Sequence, residues 1–419
     1  MCMSLNRDML ISGGADHIVN VWDTTTLRKL CVLDCGRRLN GDPGVDVISC
    51  CALGDGGTIV AGSYDKSLRV WRLPLHESPD KWKSNMITAT SRTLSGHTGS
   101  ILCVALRDTD NKVSNNSSET YFGNEGNNVI TNKSFTENDE STLPFDVEQG
   151  STFCLSGSYD STLKMWDTTS GKCLSTTNDG GHTGPIFDID SPAMAGRLCL
   201  SASQDSTACL WDLQYNFKKI RSFGSSSCTT SNLKSNTGHI GAVKCCQLAS
   251  FNYGSYLAIT GGEDGIINIW DGRSNNKYGI AMSLKGHNGS VNCLQAGGYV
   301  LPTLCSGGDD GTVRVWDIRK VNGGINGAGN GVYKESDVNA LLVMDNHDKK
   351  SIRCLKWHWN KIISSGDSNK VIVHSVHDGK VLFTGTGHGA TVTDVCMDES
   401  HFMSCSLDSE MRAWFAPAN

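Results

Sequence analysis

Eight times along its 419 residues the chain returns to the same thirteen-residue pattern. The units are ISGGADHIVNVWD (11–23), VAGSYDKSLRVWR (60–72), LSGSYDSTLKMWD (155–167), LSASQDSTACLWD (200–212), ITGGEDGIINIWD (259–271), CSGGDDGTVRVWD (305–317), ISSGDSNKVIVHS (363–375) and MSCSLDSEMRAWF (403–415). An Asp stands six residues before the aromatic position in seven of them: Asp16, Asp65, Asp160, Asp205, Asp264, Asp310 and Asp408. A small residue, usually a hydroxyl, stands ten before it: Ser12, Ala61, Ser156, Ser201, Thr260, Ser306, Ser364 and Ser404. Seven of the ten tryptophans occupy the repeat position, so the pattern is architecture and not chance. Within each unit a strand, a tight Asp/Gly turn and a second strand alternate with period two, as Val313 and Val315 do against Thr312 and Arg314. Five units are preceded by a Gly-His pair that opens another strand: His97, His182, His239, His287 and His388 each follow a glycine.

This recurrence resembles the WD-repeat β-propeller family over nearly the whole chain, and the Trp-to-Trp spacings, such as Trp166 to Trp211 and Trp270 to Trp316, fit the ~40–45 residues of one blade. The resemblance implies an all-β fold: one propeller over residues 1–419, eight four-stranded antiparallel blades, with seven as the alternative count. Blades of that size leave an excess, and three stretches account for it. Residues 107–150 read as a disordered insertion in blade three, rich in Asn, Ser and Thr, with nine carboxylates and three cations. That loop carries the whole net charge of −6, leaving the rest neutral. The Gly/Ser/Asn-rich stretches 217–236 and 320–336 read as flexible loops. In the resembling family the outermost strand of each blade follows the Trp strand, and one blade is closed by a strand from the opposite terminus. Here Met1 opens on the first strand of blade one with no Gly-His before it, and five residues follow Trp414. The expectation is an unclosed seam between blades one and eight, with a closing segment upstream in a longer relative.

Charge and composition narrow the function. With 37 Lys+Arg against 43 Asp+Glu there is no cationic surplus to neutralise phosphates, which argues against a nucleic-acid binder. No run approaches the ~18–20 apolar residues of a membrane span, and the start MCMSLNRDMLISGG lacks the character of a signal peptide. Eighteen cysteines include no C-x-x-C pair, and most sit in alternating apolar runs, as Cys103, Cys154, Cys199 and Cys305 do. They read as buried small hydrophobes of a reducing compartment, cytoplasm or nucleus, with no metal or cofactor site.

Ser, His and Asp recur in sets that look superficially like hydrolase triads: Ser156/His97/Asp160, Ser201/His182/Asp205, Thr260/His239/Asp264, Ser306/His287/Asp310 and Ser404/His388/Asp408. A catalytic triad occurs once per active site, whereas five copies in register are structural. The expectation is a buried relay in which Asp accepts from His and the hydroxyl bridges to the indole N–H of Trp166, Trp211, Trp270, Trp316 or Trp414. Blade seven departs, with Ser368 for Asp, His374 for Trp and Asn346-His347 for Gly-His, so its relay is expected not to form as elsewhere. Trp357 and Trp359 read as packing residues.

Binding is therefore expected on the surface of a platform without chemistry of its own. The residue before each repeat Asp should line the top rim: Ala15, Tyr64, Tyr159, Gln204, Glu263, Asp309, Asp367 and Leu407. Lys244 and Arg353 occupy strand positions where F-box propellers carry phosphate-binding arginines. Arg273 and Arg319 end the Trp-Asp-x-Arg repeats of blades five and six, which resemble the motif by which substrate receptors dock on the cullin-4 ligase adaptor. The specific reading is a monomeric propeller recognising substrates within a cullin-RING ubiquitin ligase. The alternative is a scaffold for a signalling, RNA-processing or trafficking complex.

Overall fold

The computed structural model describes all residues except 7, 36–46, 55, 76–90, 109–151, 178–179, 193–196, 214–216, 225–237, 253–254, 272–279, 298–302, 319–339, 398–400 and 416–419. The described residues form eight antiparallel sheets, seven of four strands and one of three. Each sheet is one blade, its strands running in chain order from the ring centre outward. The inner strands are Cys2–Asn6, Ile48–Leu53, Ile101–Asp108, Ile186–Asp190, Val243–Asn252, Val291–Ala296, Ile352–His358 and Val392–Met397. Each packs on its neighbours, and the last packs on the first, so the ring closes with eight blades. No helix among the described residues is long and apolar enough to cross a membrane.

Residue type dictates depth within a blade. The second strands are covered on both faces, and Thr58–Ser63 and Thr152–Ser158 are buried at every position. Bulk must therefore be limited there. A Cβ at Gly62 would lie 2.6 Å from Ile101 and 2.7 Å from Cys50, and one at Gly307 2.7 Å from Ile352. Large β-branched and aromatic residues fill the space between blades instead, with Trp71, Trp166, Trp270 and Trp316 among the largest fully buried side chains. The turn after each repeat Asp places the next residue in the left-handed region: Lys66 (φ 73), Ser161 (φ 69), Ser206 (φ 66), Ser409 (φ 67), Gly265 and Gly311. Asp side chains compensate by accepting from the backbone two residues on, as Asp160 does from Thr162 N–H at 3.0 Å.

The boundaries of two expected insertions need correction. Arg107 and Asp108 belong to the inner strand Ile101–Asp108. Lys218–Phe223 is the outer strand of blade four, not loop; its pattern is hidden because Lys218, Lys219, Ile220 and Ser222 are exposed and Phe223 alone is buried. The remainder of 107–150, residues 225–236 and all of 320–336 lie outside the described residues. Among the described residues blade eight has three strands, the last being Met411–Phe415.

Candidate functional site

Two layers make up the face of the ring where the second and third strands turn: a buried relay and, above it, an exposed rim. The relay forms in all five expected blades. His97 Nδ1 lies 2.9 Å from Asp160 and its Nε2 2.8 Å from Ser156, whose Oγ accepts the Trp166 indole N–H at 2.8 Å. The same geometry joins His182 to Asp205 (3.0 Å) and Ser201 (2.7 Å), with Trp211 donating to Ser201 at 2.8 Å. His239 reaches Asp264 at 3.1 Å and Thr260 at 2.8 Å, where Trp270 donates at 2.8 Å. His287 reaches Asp310 at 3.0 Å and Ser306 at 2.7 Å, with Trp316 donating at 2.9 Å. His388 reaches Asp408 at 2.9 Å and Ser404 at 2.8 Å, with Trp414 donating at 2.9 Å.

Burial would push the Asp160 carboxyl up, but hydrogen bonds from His97 and Thr162 hold it well below the usual carboxylate range. Asp205 and Asp310 behave alike, burial being outweighed by His182 and His287 respectively, and Asp408 is held down to about 2. His182 shows the reciprocal effect: burial would lower it, yet Asp205 raises it to about 9. These carboxylates stay ionised and saturated with donors, and the hydroxyls are engaged by both an imidazole and an indole. A nucleophile needs room for a substrate, and Ser156, Ser201, Thr260, Ser306 and Ser404 are 0 % exposed. The relay holds blades together.

Three blades solve the same problem differently. In blade one Trp22 donates to Ser12 at 3.0 Å. In blade two Arg69 takes the partner role of histidine, bridging Asp65 (3.3 Å), Ser67 and the Cys35 carbonyl (2.9 Å). Ala61 replaces the hydroxyl there, and the buried Trp71 Nε1 has no acceptor among the described residues. Blade seven departs from the others, as expected, yet keeps the imidazole–hydroxyl part of the relay. His347 lies 2.9 Å from Ser368 and 2.8 Å from Ser364, a relay in the same geometry without a carboxylate. A third feature escaped the sequence reading. Asp188 accepts from Cys246 N–H at 2.9 Å, Asp190 from Leu248 N–H at 2.7 Å and Asp394 from Met3 N–H at 2.9 Å, each tying one inner strand to the next. Burial raises Asp188 to about 6 and Asp190 to about 7. The alternating Asp-x-Asp of the inner strand Ile186–Asp190 was the available signal.

Above the relay the rim is fixed by one repeated backbone bond. The N–H of the rim residue donates to the carbonyl just ahead of its own inner strand: Tyr64 to Val47, Tyr159 to Ser100, Gln204 to Pro185, Glu263 to Ala242, Asp309 to Ser290, Asp367 to Ser351 and Leu407 to Thr391, all within 2.8–3.0 Å. These side chains therefore share one face. Going round the ring they divide into two arcs. Blades eight, one, two and three present Leu407 (62 % exposed), Ala15, Tyr64 (43 %) and Tyr159 (62 %). Blades four to seven present Gln204, Glu263, Asp309 and Asp367. Asp309 is held by Asn292 (2.8 Å) and Ser351 (2.6 Å). Each of the two cations named from the sequence has a neighbour within the fold. Arg353 is taken up by Asp367 through a two-bond fork at 3.1 and 2.9 Å, and Lys244 lies 4.8 Å over the Phe187 ring. Arg273 and Arg319 lie outside the described residues.

Comparison with known proteins agrees with this architecture. The family profile for WD40, described as WD domain, G-beta repeat, matches residues 33–72, 145–167, 171–212, 230–271, 280–317 and 379–414, together more than half of the chain. Mitochondrial division protein 1 of Eremothecium gossypii is similar at 24% identity over 56% of this chain and 26% of its own length. WD repeat-containing protein pop2 of Schizosaccharomyces pombe is similar at 23% identity over 45% of this chain and 22% of its own length. The chain thus spans about a quarter of the length of these relatives. Among solved structures, the computationally designed Ika8 protein shares the fold at a TM-score of 0.65 and 19% identity, over 99% of this chain and 95% of that one. The repeats, the eight-bladed ring and the profile matches agree: this chain belongs to the WD domain, G-beta repeat family, whose propellers typically serve as non-catalytic protein-interaction scaffolds.

Proposed function

We propose that the chain is an interaction platform that holds an extended segment of a partner protein across its rim, apolar residues on the Leu407–Tyr64–Tyr159 arc and basic residues on the Glu263–Asp309 arc. The observation that carries this reading is the division of the rim into two arcs of opposite character on one face. Exposed aromatics are large, stiff anchors, and fixed carboxylates supply orientation and reject acidic segments. The pairing of Arg353 with the rim carboxylate Asp367 at 2.9 Å supports a basic segment over a phosphorylated one. Within this class the narrower reading is substrate recognition for a cullin-RING ubiquitin ligase, as a single propeller in a larger cytoplasmic or nuclear complex. What supports it is the pair of Trp-Asp-x-Arg repeats ending in Arg273 and Arg319.

One experiment tests both levels. Affinity purification with quantitative mass spectrometry is run on the parent chain, on Tyr64→Ala/Tyr159→Ala and on Arg273→Glu/Arg319→Glu. The first pair should lose the rim partner, since truncating an aromatic anchor costs about 2 kcal/mol or more. The second should lose cullin components and keep the rim partner. A rim partner retained by the tyrosine variant contradicts the rim reading. Cullin components absent from the parent, beside a stable different complex, favour the scaffold.

A further inference from the structure

Trp357 and Trp359 stand on the inner hairpin of blade seven, and only the first of them packs. Trp357 lies against the core cluster of Cys305, Val315 and Ile362, and a Cβ at Gly297 of blade six would lie 3.1 Å from its ring. Its backbone N–H donates to the Gln295 side-chain oxygen at 2.7 Å, which ties it to blade six. Trp359 is 76 % exposed, the highest value of any large apolar side chain among the described residues. The strands Ile352–His358 and Lys361–Gly366 are joined by two residues only, Trp359 and Asn360, with His358 paired to Lys361. Asp367 joins the rim at the other end of the second strand, so the hairpin tip lies on the end of the ring away from the rim.

The tip holds Trp359 in a conformation that suits glycine. Its φ is 52°, in the left-handed region, where a side chain crowds its own backbone. Phe217 shows the usual compensation: with φ at 55° it is 4 % exposed and meets the Trp211 ring edge-on at 6.3 Å. Trp359 carries the same backbone strain without that burial, and its ring neighbour is His358, edge-on at 6.3 Å. The turn is also held from both sides. The Trp357 indole N–H donates to the Trp359 carbonyl at 2.9 Å, and Val376 N–H donates to the Asn360 carbonyl at 2.9 Å. A strained, exposed and fixed aromatic works against the stability of the free chain, and such strain collects where a surface is prepared for a ligand.

We propose that Trp359 anchors a second protein interface, on the end of the ring away from the rim, and that its partner is a folded protein with an apolar pocket bordered by carboxylates. A preorganised aromatic gains affinity because its ordering cost is met before binding, and a receptor of fixed shape exploits that. A fluid lipid surface has no use for it. The acidic border follows from charge. Residues 352–366 contain Arg353, Lys356, His358 and Lys361 and no carboxylate. Arg353 is paired at the rim end, and Lys356 acts on the buried Asp188, Asp190 and Asp394, opposing the rise that burial gives them. His358 and Lys361, which flank the turn, pair with no acid among the described residues. Asp378, on the next turn of the blade, is taken by Lys380 at 2.9 Å. Carboxylates around the partner's pocket complement this collar and select which pocket the indole enters. The interface shares no residue with the rim, so its test stands or falls apart from the rim reading.

The test places a benzophenone-bearing amino acid at position 359 of the full chain and photo-cross-links it in the cells that make the protein. Mass spectrometry then maps the cross-linked peptides. One protein is expected, joined through a peptide that combines apolar residues with Asp or Glu. Purified, it should bind the parent chain, and Trp359→Gly and Lys361→Glu should each weaken that binding more than about tenfold. Tyr64→Ala/Tyr159→Ala should leave it unchanged. Because glycine suits the tip backbone, the Trp359→Gly chain should unfold at the parent's urea midpoint or above it. A lower midpoint would assign the indole to the fold and overturn the proposal. So would a cross-link confined to residues of this chain, within one copy or between two. Vesicles of phosphatidylserine and phosphatidylcholine that sediment the parent and not Trp359→Gly would assign the tip to a membrane instead. Absence of any cross-linked protein, or a partner whose affinity ignores both substitutions, would also contradict it.

Discussion

Blades six and seven stand side by side on the same backbone plan and hold opposite chemistry inside it. In blade six His287 faces a carboxylate, Asp310, and its hydroxyl partner Ser306 also receives the Trp316 indole. In blade seven His347 faces a hydroxyl, Ser368, and the tryptophan is replaced by His374, whose Nε2 lies 3.1 Å from the Asn346 side-chain oxygen. Both histidines of blade seven are 0 % exposed, and His374 Nδ1 has no partner among the described residues. Strand register, not charge, brings the imidazole into place. Charge then decides which pH range the blade tolerates. Burial holds both His347 and His374 down to about 4, so they are neutral in the fold. Asp310 is held below the usual carboxylate range and stays ionised. The family profile leaves residues 363–375 unmatched and includes 305–317, in keeping with that division.

The comparison can be broken at its carboxylate. Asp310→Asn keeps the shape of blade six and removes the charge, so its relay becomes like that of blade seven. Stability should fall by about 1–3 kcal/mol, the cost of weakening a buried charge-assisted bond, measured by urea unfolding at neutral pH. Because the Asp310 pKa is depressed, its contribution is present above the unfolded value near 3.8 and is lost as pH falls through the folded one. No hydrolytic activity should accompany or leave with the residue. An unchanged unfolding midpoint would show that the carboxylate is dispensable even where it is present. The smaller effect lies in blade two, the other blade with an unsatisfied group. Ala61→Ser offers the orphaned Trp71 N–H the acceptor that Ser306 gives Trp316, and should stabilise by about 0.5–1 kcal/mol. A loss of stability would mean that the added hydroxyl meets crowding in a fully packed strand.

Much of this was legible because the repeat is written in residues that packing and hydrogen bonding constrain tightly. The aromatic, the hydroxyl ten before it and the Asp six before it fix strand register, and the five relays follow from register alone. Legibility fails where the constraint is on the backbone only. The outer strand Lys218–Phe223 buries one side chain of six and carries no periodic signal, so composition alone points to a loop. Substitution within the relay was also hard to see. Arg69 for histidine is marked only by its place four residues after Asp65, and Ser368 for Asp looks like loss of the relay until the geometry shows a hydroxyl serving as partner. At the rim the sequence named residues that share one face, but the pairing of Arg353 depends on Asp367 lying fourteen residues away across two strands.

The central contrast is tested most directly by hydrogen exchange in the third strand of each blade, Val313–Asp317 and Val371–Ser375, at pH 7.5 and pH 5. A local readout is needed because Asp188 and Asp190, raised by burial, take up protons in the fold over the same range and act on overall stability with the opposite sign. Near the blade-seven histidines Lys370 and Asp348 pair with each other at 2.6 Å, and the Asp348 carboxyl, lowered by Lys370, stays ionised at both pH values. Histidines held near 4 in the fold and near 6.5 when unfolded cost the blade stability as pH drops between those values, about 2 kcal/mol for each by pH 5. Protection in Val371–Ser375 should therefore fall by about thirtyfold or more on acidification, after correction for intrinsic exchange, while Val313–Asp317 stays as protected as before. Equal change in both strands, or none in blade seven, would contradict the division between a relay built on charge and one built on burial.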